Sequence, residues 1–131
     1  MTQATTPAYD YARIALGSIR LINGGLALLA PQLLARRIGI DPRTTPAALY
    51  VFRMFGIRTV LIAADLLIET GERRDEAIRQ APLIHASDTA AAALAAFTGR
   101  MPGSSGLMIV VISAINTALA VYARKGLDES R

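Results

Sequence analysis

The chain has 131 residues, 53% of them hydrophobic, and a mean hydropathy of +0.39, too apolar for an ordinary soluble domain of this size. We read it as one integral membrane domain spanning residues 1–131, although a charged share of 18% keeps a soluble four-helix bundle as the competing reading. The net charge of +4 is mostly arginine in short loops beside apolar segments, which suits anionic lipid headgroups and argues against nucleic acid.

The absence of cysteine excludes disulfides, thiolate metal sites and cysteine nucleophiles. Arginine supplies nearly all the positive charge, and Ala and Leu are abundant. This composition hints at a high-GC bacterial genome, and so at a bacterial inner membrane.

Met1 to Asp10 carries no Lys or Arg and so lacks the basic start of a cleavable signal peptide; the first helix is expected to be retained. A crossing helix needs about 20 mostly apolar residues. Four windows qualify: 11–30, 47–68, 77–97 and 106–123. The predicted fold is therefore an all-α, up-down bundle of four transmembrane helices.

Pro31 closes the first window. Gln32 to Ile40 alternates Leu33, Leu34 and Ile38 with Arg36 and Arg37, which predicts a short interfacial helix. Thr44, Thr45 and Pro46 suit an N-cap with proline at the first helical position of the second span. That span ends at Glu69 to Gly71, and the third, with Pro82 predicting a kink or a late membrane entry, ends at Thr98 and Gly99. Met101 to Ser105 turns the chain into the fourth.

With four crossings both termini share a side. Arg73, Arg74, Arg79, Arg124, Lys125 and Arg131 lie there, against Arg36, Arg37, Arg43 and Arg100 opposite, a modest bias toward cytoplasmic termini. Tyr9, Tyr11, Tyr50 and Tyr122 fall near the span ends, as an aromatic belt places them. Gly17, Gly24, Gly25 and the alanines of 90–96 read as packing residues.

The polar residues inside these windows carry the functional signal. A charge at bilayer depth costs about 2.5 kcal/mol or more, so such groups face a bundle interior and find partners there. At 1.5 Å rise per residue, Arg20, Arg58, the pair His85 and Asp88, and Ser113 with Asn116 all fall at one level, with Asn23 extending the Arg20 stripe. One tier away, Arg13 and Asp65 reach equal depth from opposite chain directions, which predicts a structural salt bridge between them. With that pair removed, Arg20, Arg58 and Asp88 leave one positive charge in surplus at the midplane, provided His85 is neutral.

The segments 13–40 and 52–67 resemble an uncharacterised family of small four-helix actinobacterial membrane proteins. They are more faintly similar to the DoxX-like group, through an early R-x-x-L-G segment and a Gly-rich first helix ending in proline. The pattern falls on Arg13, Leu16, Gly17, Gly24, Gly25 and Pro31. The resemblance implies a four-helix membrane fold without an established activity.

No nucleotide-binding, zinc-protease or hydrolase motif is present, and a single histidine builds no typical zinc or haem site, so no metal or cofactor is expected. Three functions follow. The first is a binding or transport-accessory protein for a lipophilic ligand with an anionic or polar head, met by Arg20, Arg58, Asn23 and Asn116. The second is a small membrane enzyme, an isomerase, cyclase or epoxide-opening hydrolase, with Asp88 and His85 as acid and base. The third is a structural subunit of a larger membrane complex or homo-oligomer, its polar cluster fixing helix partners. Membrane lipids are the expected surroundings in all three.

Overall fold

The computed structural model describes residues 6–131; the Met1–Thr5 part of the segment read for a signal peptide lies outside them. Five helices and no strand are found among these residues: α1 Pro7–Leu29, α2 Pro31–Arg37, α3 Ala47–Leu67, α4 Gly71–Phe97 and α5 Gly103–Glu129. Each long helix begins or ends within a few residues of its apolar window. Where α4 and α5 run beyond it, the turns 71–76 and 124–129 are rich in charged residues.

Three helices, α1, α3 and α5, are long and apolar enough to cross a membrane. α4 is not among them. Its first turns hold Glu72, Arg73, Arg74, Asp75 and Glu76, and the Glu76 carboxyl is held below the usual range by hydrogen bonds from Gln80 Nε2 at 2.7 Å and Arg79 Nε at 3.1 Å. Large apolar side chains stand outward on the other three, among them Leu21, Ile22 and Leu26 on α1, Met54, Ile57 and Leu61 on α3, and Leu107 and Ile115 on α5. An outward apolar coat of this kind suits hydrocarbon rather than water.

Successive long helices run antiparallel. Arg13 meets Leu66 and Gly24 meets Gly56 between α1 and α3, while Thr89 meets Thr117 and Ala96 meets Gly106 between α4 and α5. α1 also packs along α5, where Tyr9 lies over Gly126 and against Tyr122, with ring centroids 4.7 Å apart. The α1 and α3 backbones approach closely because glycine faces glycine: a Cβ on Gly56 would come within 2.6 Å of Leu28 N and 2.8 Å of Gly24 O.

The connections are held by backbone geometry. α2 and α4 both end with a left-handed glycine, Gly39 at φ 81° and Gly99 at φ 70°. The two following amides close back on the helix, Ile40 N on Ala35 O and Arg100 N on Ala95 O. Pro31 starts α2 directly after α1, as the first position of a helix allows. One expectation is corrected here. Pro46 is the N-cap of α3 and no threonine side chain caps it, because Thr44 and Thr45 are engaged in a turn closed on Asp41. α4 runs as one helix with Pro82 inside it.

The apolar core fills one end of the molecule. Ala12, Leu16, Leu66, Ile78, Ala81, Ala120, Ala123 and Leu127 form it, from the start of α1 and α4 and the end of α3 and α5. The other end is hollow.

Candidate functional site

The hollow end holds a cavity of about 440 Å³, partly open, with walls from all five helices. Phe52, Phe55, Met108, Ile109 and Ile112 make it mainly apolar; Arg20, Asn23, Asp88, Ser113 and Asn116 give it a polar floor, and Arg37 a charged outer edge. Arg20 lies nine residues before the end of α1 and Asp88 nine before the end of α4, so both sit roughly 14 Å inside their helix ends. That is about half the thickness of a bilayer core.

Arg20 Nη1 donates to Asp88 Oδ2 at 3.1 Å. The arginine is 5% exposed, whereas the Asp88 side chain keeps 39% of its surface open. Asn116 is equally buried, at 5%, and its Oδ1 has no hydrogen-bond partner; neither has Arg20 Nε. Buried polar atoms without partners are uncommon and ask for an explanation.

The structure sorts the expected site residues. Arg20, Asn23, Asp88 and Asn116 come together around the cavity. Arg58 does not: it is exposed and absent from the cavity wall. His85 is 1% exposed, lies outside the lining, and neither ring nitrogen has a partner. With Arg58 outside the wall, the cavity floor holds Arg20 and Asp88 in balance, and the remaining positive charge of the lining is the exposed Arg37.

The expected Arg13 to Asp65 salt bridge is corrected. Arg13 Nε pairs with Asp10 Oδ1 at 3.2 Å and its Nη1 donates to the Leu66 carbonyl, while Asp65 accepts from Arg73 Nε at 3.0 Å. The depth is right to one residue, but Asp65 turns toward α4.

Sequence reasoning missed the contribution of α2. Leu34, Arg37 and Ile38 line the cavity, and Ser105 Oγ at the start of α5 donates to Arg37 O, tying α2 over that end. The amphipathic spacing of Leu34 and Ile38 was the available signal. Among the described residues, no group of three or more metal-ligating side chains comes together. Compared with known protein families, curated proteins and solved structures, the chain matches none of them.

Proposed function

We propose that this is a small membrane protein that binds a lipophilic ligand in the cavity, with the ligand's polar end on the floor at Arg20, Asp88 and Asn116. The observation that carries this reading is a mainly apolar cavity of about 440 Å³ whose floor holds buried, incompletely bonded polar groups. Drug-sized ligands occupy pockets of about 300 to 1,000 Å³ with this pattern of apolar wall and few polar anchors. In the same proposal α4 is the fourth crossing, entering near Ala77, in a bacterial inner membrane with cytoplasmic termini. The DoxX-like resemblance accords with that arrangement.

The test is thermal stabilisation by 1-dodecanol of the protein in nanodiscs. Stabilisation that disappears in Ala95→Trp, which fills the cavity from its wall, supports the reading. Equal stabilisation of both proteins overturns it.

The enzymatic alternative draws on one observation: Asp88 is a carboxylate open to the cavity. Its proposed proton partner His85 is outside the lining, which weakens that version.

A further inference from the structure

The polar floor contains one cation and one anion, and they are bonded to each other. Arg20 and Asp88 sit 3.1 Å apart at the cavity surface, and the remaining polar lining at that depth, Asn23, Ser113 and Asn116, is uncharged. Arg37 is an exposed residue of the lining, and Arg58 lies outside the wall. His85 is enclosed outside the lining. A ligand anion brought to this floor would lie beside the Asp88 carboxylate, with one buried guanidinium shared between two negative charges, and that repulsion together with the anion's desolvation is costly.

We infer, on the footing of the cavity reading above, that the ligand's head is uncharged and both donates and accepts hydrogen bonds, as a hydroxyl or a primary amide does. The Arg20 to Asp88 pair presents a donor and an acceptor side by side, and Asn116 adds an amide to the same lining. A head of this type bonds to the pair without breaking it. Asp88 thus acts as a specificity residue: it cancels the charge of Arg20.

The experiment compares three probes sharing a twelve-carbon chain: 1-dodecanol, dodecanesulfonate and dodecyltrimethylammonium. Each is used at micromolar concentration, with the protein in zwitterionic nanodiscs and partition into empty nanodiscs subtracted. The wild type is expected to bind dodecanol at least tenfold tighter than either ion. Asp88→Asn should gain tenfold or more for the sulfonate, Arg20→Gln should gain for the ammonium, and the double variant should return to the wild-type preference.

Wild-type binding of the sulfonate as tight as dodecanol overturns the inference whatever the variants do. So does an unchanged preference in whichever single variant folds. Failure of all probes to bind any of the proteins instead removes the cavity reading itself.

Discussion

Arg20 on α1 reaches Asp88 on α4 although these two helices scarcely touch, each packing instead on α3 or α5. The side chains, not the backbones, close the centre of the molecule. A double-mutant cycle with Arg20→Gln and Asp88→Asn should give a coupling of about 1 to 3 kcal/mol, read from unfolding in detergent. Additive losses would mean that the pair contributes nothing.

The glycine contact between α1 and α3 should be sensitive to one methyl group. Gly56→Ala places a Cβ against the Leu28 and Gly24 backbones, which cannot yield as a flexible side chain would. We expect a loss of about 2 kcal/mol in unfolding free energy. Gly25→Ala, with nothing within 4 Å of its Cβ, is the control and should lose nothing.

His85→Leu should be neutral or stabilising by up to about 1 kcal/mol, because it removes two buried nitrogens that have no partners. Dodecanol binding should be unchanged in the same protein. A lost binding signal would assign the imidazole a part in the cavity.

Arg58→Leu separates the two arginines. Since Arg58 is exposed on an apolar helix, its loss should leave dodecanol binding intact and stability in nanodiscs equal or higher. Reduced binding would return it to the ligand site.

At the other end, Tyr9 Oη donates to Glu129 Oε2 at 2.7 Å and its ring covers Gly126. Tyr9→Phe should cost about 1 kcal/mol or less, through the hydrogen bond alone. Gly126→Ala should cost more, since the added methyl collides with the ring. Thermal melts of the two variants give the order.

Apolar runs, prolines and glycines determined the helices, and the fixed rise per residue determined depth; that is why Arg20, Asp88 and Asn116 could be placed at one level from the sequence. Rotation about each helix axis is a different matter, because it depends on which neighbour each face meets. Arg58 and Thr59 are adjacent in sequence, yet Thr59 is 1% exposed while Arg58 faces outward. Arg13 likewise found the Leu66 carbonyl one residue from the expected carboxylate. Only packing chose those directions: about 100° of turn per residue separates a buried side chain from an exposed one.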